Sequence, residues 1–167
     1  MRLNKSGLRI AVTCFALAIG GVGAVNTAQS QALATSKPPL ATGITDSGAA
    51  EAQVTDAIRD GDILTIKIRF APIVPDKMES IYAQISDQDY ENNFYVLAGD
   101  KKYLLLRDSQ DTPLASPQLS IRNTKDSPVS GTWYGRFPAP PKDITEVSLT
   151  IRGVETIDAI PIADKQQ

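Results

Sequence analysis

The fold is decided by the stretch Ile63-Leu-Thr-Ile-Lys-Ile-Arg-Phe70. Every even-numbered position from 64 to 70 is a large apolar residue, and positions 65, 67 and 69 are polar. Successive side chains of an extended chain point to opposite faces of a sheet. The alternation therefore predicts a half-buried strand with its apolar face on a core and its polar face in water.

The residues on either side predict a hairpin and its end. Val54–Ile58 forms a shorter apolar run, and Arg59-Asp60-Gly61-Asp62 supplies turn residues between the two strands. Pro72 and Pro75 follow the second strand. Since proline cannot donate to a sheet ladder, we expect the strand to end there.

Short strands with turn residues between them continue along the chain. We predict them at Ser80–Ile85, Phe94–Leu97, Lys102–Arg107, Thr132–Phe137, Glu146–Arg152 and Ile157–Ile162, with a weaker edge segment, interrupted by proline, at Leu114–Ile121. The first of these could also form one turn of helix. Lys102–Arg107 is apolar on both faces, which favours a place in the middle of a sheet.

The pattern predicts an all-β fold, a single antiparallel two-layer β-sandwich without a convincing amphipathic helix. A small closed barrel is the competing architecture. Prolines at several strand ends favour the sandwich, because its open sheet edges need protection.

The N-terminus has the three parts of a secretory signal peptide. Arg2, Lys5 and Arg9 are basic, and an uncharged apolar run follows from Ile10 to Val25. That run is shorter than the roughly 20 residues that cross a bilayer comfortably, so an uncleaved anchor is the weaker alternative. The sequence predicts export to the periplasm or the medium, with no stable membrane span after cleavage.

Small residues mark the cleavage site. Ser30-Gln31-Ala32 fits a signal peptidase best, so we expect cleavage after Ala32, with Ala34 as the alternative. Residues 1–32 are then the signal peptide. Residues 33–51, rich in small and polar residues, are expected to be a flexible lead-in. The β-sandwich domain is predicted at residues 52–164, with a tail at 165–167.

Composition excludes several chemistries. The chain has no histidine, and its one cysteine, Cys14, lies inside the predicted signal peptide. Ser-His-Asp and Cys-His catalysis and the usual zinc sites therefore have no residues to use. After residue 32 the chain carries 14 basic and 19 acidic residues, a net charge of −5. This charge argues against nucleic acid and anionic membrane surfaces as partners.

Three segments carry a resemblance to a known type of domain: Tyr103-Leu-Leu-Leu-Arg-Asp-Ser109, Phe137-Pro-Ala-Pro-Pro141 and Ile160-Pro-Ile162. They resemble segments of immunoglobulin-like β-sandwich domains of unknown function found in bacterial exported proteins. The resemblance implies a fold and a compartment. It implies no activity, and it offers no catalytic residue.

The candidate binding surface is the pair Tyr134 and Arg136. Both lie on the strand face opposite Trp133 and Phe137, which we assign to the core. Tyrosine and arginine are enriched at binding hot spots, although an ordinary solvent-facing sheet surface would also carry them.

Carboxylates give weaker signals. Asp87, Asp89 and Glu91 alternate like the start of a calcium loop, but Asn92 and Ala98 stand where an EF-hand needs glycine and an acidic residue. A solvated acidic loop is the preferred interpretation, and we expect neither a metal nor a cofactor. The aspartates of the turns are explained by hydrogen bonds to their own backbone.

These observations favour an exported, non-catalytic binding or accessory module that recognises another envelope or extracellular protein through a sheet face or edge. The alternative is a carbohydrate- or cell-wall-binding domain, because tyrosines are scattered along the chain. A carboxylate-dependent hydrolase ranks below both, since a simple sandwich rarely forms the deep cleft that a glycosidase needs.

Overall fold

The structure is a computed structural model that describes residues 37–166. The predicted signal peptide, Cys14 and the cleavage positions Ala32 and Ala34 lie outside this part of the chain. Between residues 37 and 166 the chain forms eleven strands and one short helix. In chain order these are β1 (Thr42–Ile44), β2 (Ala50–Asp60), β3 (Ile63–Pro72), β4 (Met78–Tyr82), α1 (Asp87–Asn93), β5 (Phe94–Ala98), β6 (Lys101–Leu104), β7 (Leu119–Arg122), β8 (Gly131–Pro138), β9 (Glu146–Ile151), β10 (Val154–Pro161) and β11 (Ala163–Asp164).

The strands form three sheets. The first has the order β1-β2-β3-β8, and the second has the order β10-β9-β5-β6. β4 and β7 form a separate pair. Pairing is antiparallel except that β11 lies parallel to β2, on the side of β2 that also holds β1. The predicted all-β, antiparallel character is confirmed, and within residues 37–166 the sheets do not close into a barrel.

The stretch from Ile63 to Phe70 has the predicted orientation. Leu64, Ile66 and Phe70 are completely buried, and Ile68 is 2 % exposed. The β2–β3 hairpin turns at Gly61, whose φ of 58° is a conformation that residues with a side chain rarely adopt. The buried faces of β2, β3, β8, β5, β9 and β10 contribute to one hydrophobic cluster.

The expected lead-in at 33–51 is wrong for its second half. β1 and the first residues of β2 lie in the first sheet, and Ala49, Ala50 and Ala52 are completely buried. The composition suggested flexibility because alanine contributes little apolar surface, yet these small side chains fill tight space. A register shift between Val54 and Asp56 also changes which positions of β2 point inward. The apolar alternation therefore breaks within β2, and the sequence pattern did not predict the full length of the strand.

The predicted central position of Lys102–Arg107 is also wrong. β6 lies at the end of the second sheet and stops at Leu104. Beyond it the chain passes to the first sheet, where the Leu106 N–H donates to the Arg136 carbonyl at 2.8 Å. The segment is apolar on both faces because it serves two sheets in succession.

Two features between residues 78 and 93 differ from the predictions. The strand predicted at Ser80–Ile85 is β4, which begins at Met78 and ends at the buried Tyr82. The acidic stretch expected to be a loop forms α1, whose first turn is capped by the Ser86 hydroxyl accepting the Asp89 N–H. No helix within residues 37–166 is both long and apolar enough to cross a membrane.

Candidate binding surface

Tyr134 and Arg136 lie on β8 and face solvent. Tyr134 is 43 % exposed, while Trp133 and Phe137 on the opposite face are 2 % and 0 % exposed. The predicted orientation of this strand is therefore confirmed. The Trp133 indole covers the next inward position, Gly135, so closely that a Cβ there would overlap the ring. One face of β8 is thus packed into the core, and Tyr134 and Arg136 project from the opposite face.

The register places the outward side chains of β3 beside those of β8. Lys67 lies directly opposite Tyr134, and Thr65 lies opposite Arg136. One row further, Arg69 lies opposite Thr132. We call this surface the β3–β8 face, and its members are Thr65, Lys67, Arg69, Thr132, Tyr134 and Arg136.

The β3–β8 face is positively charged. Its six residues include three cations and no carboxylate. The side chains of Lys67 and Arg136 form no ion pair or hydrogen bond within residues 37–166. Arg69 is held in place, because its Nε donates to Gln53 Oε1 at 2.7 Å. Two cations beside Tyr134 are therefore available to a ligand.

A hollow of about 280 Å³ lies between the Lys67–Tyr134 row and the Arg69–Thr132 row of this face. It adjoins the register shift of β2, where Thr55 turns toward it. Irregularities of this kind bend a strand and redirect a side chain. The lining consists of Thr55, Lys67, Ile68, Arg69, Thr132, Trp133 and Tyr134.

The outer edge of β8 is closed to a further strand. Arg136 donates its N–H to the Leu114 carbonyl at 2.9 Å and accepts from Leu106. The Tyr134 carbonyl accepts the Ser116 N–H at 2.9 Å, and the Tyr134 N–H donates to Ser116 Oγ at 3.1 Å. Because these backbone groups have partners, a ligand at this site must contact the side chains of the face.

The other tyrosines serve the fold. Tyr82 accepts the Trp133 indole N–H at 2.9 Å and donates to the Ser116 carbonyl at 2.8 Å, and burial raises its pKa. Tyr90 lies under the Arg107 guanidinium, and Tyr95 lies under the Lys102 ammonium. Tyr103 is half-buried against the core. Among residues 37–166, Tyr134 is the one exposed aromatic side chain.

Asp89 anchors a polar cluster that the sequence did not reveal. Its carboxylate accepts from Ser86 Oγ at 2.7 Å, Asn93 Nδ2 at 2.8 Å and Arg152 Nη1 at 2.6 Å. The Ser86 hydrogen bond, with smaller contributions from Asn93 and Arg152, holds the pKa of Asp89 below its usual value. The cluster fastens α1 to the end of β9, 63 residues later in the chain.

Asp87, Asp89 and Glu91 are not brought together. The Asp87 side chain is completely exposed and lies 3.5 Å from Arg107, whereas Asp89 pairs with Arg152. Across residues 37–166, no group of three or more histidine, cysteine or acidic side chains is arranged to hold a metal ion.

The turn aspartates bond locally. Asp108 Oδ1 accepts the backbone N–H groups of Gln110 and Thr112 at 2.8 and 2.9 Å. These bonds, that of Thr112 first, lower the pKa of Asp108. Asp60 pairs with Lys165 Nζ at 2.7 Å. These contacts account for both carboxylates as parts of the fold.

A second polar cluster surrounds Arg59, which is 5 % exposed. Its guanidinium donates to the carbonyls of Pro141 and Ile144 at 3.0 and 2.6 Å. Asp164 of β11 lies 3.4 Å from its Nε. Arg59 therefore ties the proline-rich corner and the last strand to β2, a role that its position beside a turn did not suggest.

The β3–β8 face thus combines one exposed aromatic ring, a shallow hollow and two cations that have no partner in the described part of the chain. Exposed tyrosine and arginine side chains of this kind are enriched at the hot spots of protein interfaces. The chain matches no protein-family model, no curated protein and no solved structure.

Proposed function

We propose that this protein is an exported, non-catalytic binding or accessory module that recognises another envelope or extracellular protein through the β3–β8 face. In this proposal residues 1–32 are a cleaved signal peptide, and the two larger sheets form an immunoglobulin-like β-sandwich. The basic start, the uncharged apolar run and the small residues near Ala32 support export. The cluster of buried residues shared by the two larger sheets supports the sandwich.

The observation that carries the proposal is the surroundings of Tyr134. An aromatic ring that is 43 % exposed stands beside two cations that form no ion pair or hydrogen bond within residues 37–166, on a sheet whose other face is buried in the core. Tyrosine and arginine contribute heavily to protein interfaces, because they offer large contact area together with polar groups. The backbone of Tyr134 and Arg136 is held by hydrogen bonds to neighbouring segments, which limits the entropy that ordering them on binding would cost.

Several carboxylates form contacts within the fold, and this supports a non-catalytic role. Asp89, Asp108 and Asp60 are each engaged in contacts that hold the fold. The chain contains no histidine that could act as a base near neutral pH.

A protein partner is favoured over a glycan. Sugar-binding surfaces present two or three aromatic rings to the pyranose faces, whereas Tyr134 stands alone among the residues described. Tyr82, Tyr90 and Tyr95 are already committed to contacts within the fold.

Replacing Tyr134 and Arg136 together by alanine is expected to abolish partner capture while leaving the melting temperature within a few degrees of the parent. Both side chains point to solvent, so their loss removes contact area without opening a core cavity. The tagged full-length protein would be cross-linked in the producing cell and captured from the envelope fraction. Bound proteins would then be identified by mass spectrometry.

The matched control replaces Leu97 and Lys102 by alanine, which removes one large side chain and one cation from neighbouring positions on the second sheet. This control should retain the recurrent partner. Equal capture by the parent and the Tyr134/Arg136 variant would contradict the proposal. Recovery of cell-wall glycan without any recurrent protein would favour the carbohydrate alternative.

A further inference from the structure

We propose that the partner of the β3–β8 face presents an extended, acidic segment with carboxylates at alternate positions followed by an apolar residue. This inference rests on the proposed function and specifies the chemistry of the partner. It derives from three features of the face, which are its charge, the spacing of its cations and the position of the hollow.

Charge distinguishes this face from the rest of the protein. From residue 33 onward the chain carries 14 basic and 19 acidic residues, yet the six residues of the face include three cations and no carboxylate. Asp56 of β2 lies opposite Lys67 in the register, but the two side chains form no ion pair. Lys67 and Arg136 have no ionic partner within the described part of the chain. An acidic partner would neutralise both, and a basic partner would be repelled.

The spacing of the two cations fits an extended peptide. Lys67 lies opposite Tyr134, and Arg136 is two residues beyond Tyr134 on the same strand. Lys67 and Arg136 are therefore diagonal neighbours, whose Cβ atoms lie about 7 Å apart in an antiparallel pair. In an extended peptide, side chains at alternate positions lie on one face at about the same spacing. Two carboxylates separated by one residue would thus reach both cations.

The hollow extends this pattern by one further position. It lies on the side of the Lys67–Tyr134 row away from Arg136, between that row and the Arg69–Thr132 row. A peptide aligned with the strands would place the next side chain that faces the protein near the hollow, whose lining includes Ile68 and Trp133 and so favours an apolar group. The expected pattern is therefore acidic, any residue, acidic, any residue, apolar.

A protein segment fits better than a nucleic acid or an acidic glycan. Single-stranded nucleic acid needs a track of cations with several stacking rings, and the face has one ring. A uronic acid polymer would meet the cations but would leave the hollow without an apolar group. Both polyanions are included below as competitors.

The test measures binding of a fluorescent nonapeptide, Gly-Thr-Glu-Thr-Glu-Thr-Leu-Thr-Gly, to the purified full chain by anisotropy. We expect saturable binding that weakens as salt is raised, because the contacts are exposed ion pairs. Replacing both glutamates of the peptide by glutamine should remove binding. A peptide with the two glutamates adjacent should bind more weakly than the alternating one.

Charge reversal on the protein provides the matched comparison. Lys67→Glu with Arg136→Glu should lower the affinity about tenfold or more, since two attractive contacts become repulsive. Lys101→Glu with Lys125→Glu changes the net charge equally at exposed sites outside the face and should alter the affinity less than about twofold. Fluorescence of the single tryptophan, Trp133, would verify that both variants remain folded.

The inference is overturned if the acidic peptide does not bind, if the glutamine peptide binds equally well, or if the two charge-reversed proteins lose affinity equally. It is also overturned if polygalacturonate or single-stranded DNA competes more strongly than the unlabelled peptide. The proposed function fails separately. If Tyr134 and Arg136 are needed for partner capture while the acidic peptide does not bind, the face binds a protein of different chemistry. If capture does not need them, the proposed function itself is wrong.

Discussion

Replacing Ile66 by aspartate is expected to unfold the domain at neutral pH. Ile66 is completely buried in β3, between Ala57 of β2 and Gly135 of β8. An ionised carboxylate at this position would have no partner in an apolar surrounding, which costs several kcal/mol or forces the group to become neutral. Domains of this size are stable by about 5–15 kcal/mol, so this one substitution removes a large part of the total.

The matched control is Thr65→Asp, which places the same group on the outward face of the same strand. We expect it to cost about 1 kcal/mol or less, the range of strand propensities. Urea unfolding would be followed by the fluorescence of Trp133, the one tryptophan of the chain. A cooperative transition of the Ile66→Asp variant at the urea concentration of the parent would show that the inward face of β3 is assigned wrongly.

Replacing Asp89 by asparagine is expected to lower the free energy of unfolding by about 1–3 kcal/mol at pH 7, the usual cost of losing charge-assisted hydrogen bonds at a buried site. The carboxylate accepts hydrogen bonds from Ser86, Asn93 and Arg152 through its two oxygens. An asparagine amide has only one oxygen and carries no charge, so it cannot replace all three contacts. α1 should therefore loosen at its contact with the end of β9.

The effect should depend on pH in a definite direction. Because the pKa of Asp89 is lower in the folded state than in the unfolded state, its contribution is complete above the unfolded value of about 4. Below that pH the unfolded state takes up a proton first, and the contribution declines as the pH falls through the folded pKa. The stability difference between the parent and Asp89→Asn should therefore shrink on acidification below about pH 4.

Asp87→Asn is the control, since this carboxylate lies in the same helix with its side chain completely exposed. At pH 7 the free energy of unfolding of this variant should lie within about 0.5 kcal/mol of the parent, as for other exposed substitutions. Urea midpoints measured from pH 7 to pH 2.5 would check both variants. A constant difference between the parent and Asp89→Asn across this range would contradict the assigned role of the carboxylate.

The strands that the sequence predicted well have large side chains on one face. Leu64 to Phe70 in β3 alternates without interruption, and Val147, Leu149 and Ile151 do the same in β9. In β8 the small Gly135 occupies one inward position between Trp133 and Phe137, and the pattern still holds. Where large apolar groups recur at every second residue, only one orientation of the strand buries them.

The elements that the sequence did not predict depend on contacts distant in the chain. The start of β2 buries alanines, whose contribution is small until a neighbouring strand covers them. α1 is rich in aspartate and asparagine, which are poor helix formers, and it is held by Ser86 and by Arg152. β6 lies at a sheet edge because the next residues cross to the other sheet.

The candidate site was predictable only in part. Alternation alone placed Tyr134 and Arg136 on the outward face of one strand. It could not place Lys67 beside Tyr134, because strand order and register determine that neighbour. The hollow and the closed edge of β8 likewise depend on Thr55 and Ser116, which come from other parts of the chain.

The most direct test of the β3–β8 face is a photo-crosslinking amino acid in place of Tyr134 in the producing cell. Leu97, 38 % exposed on the second sheet, provides the control position. Irradiation is expected to attach position 134 to one recurrent envelope or extracellular protein and to leave position 97 without that product. Cross-linking of the same protein from position 97 alone, or the absence of any protein product at position 134, would contradict the assignment of this face as the binding surface.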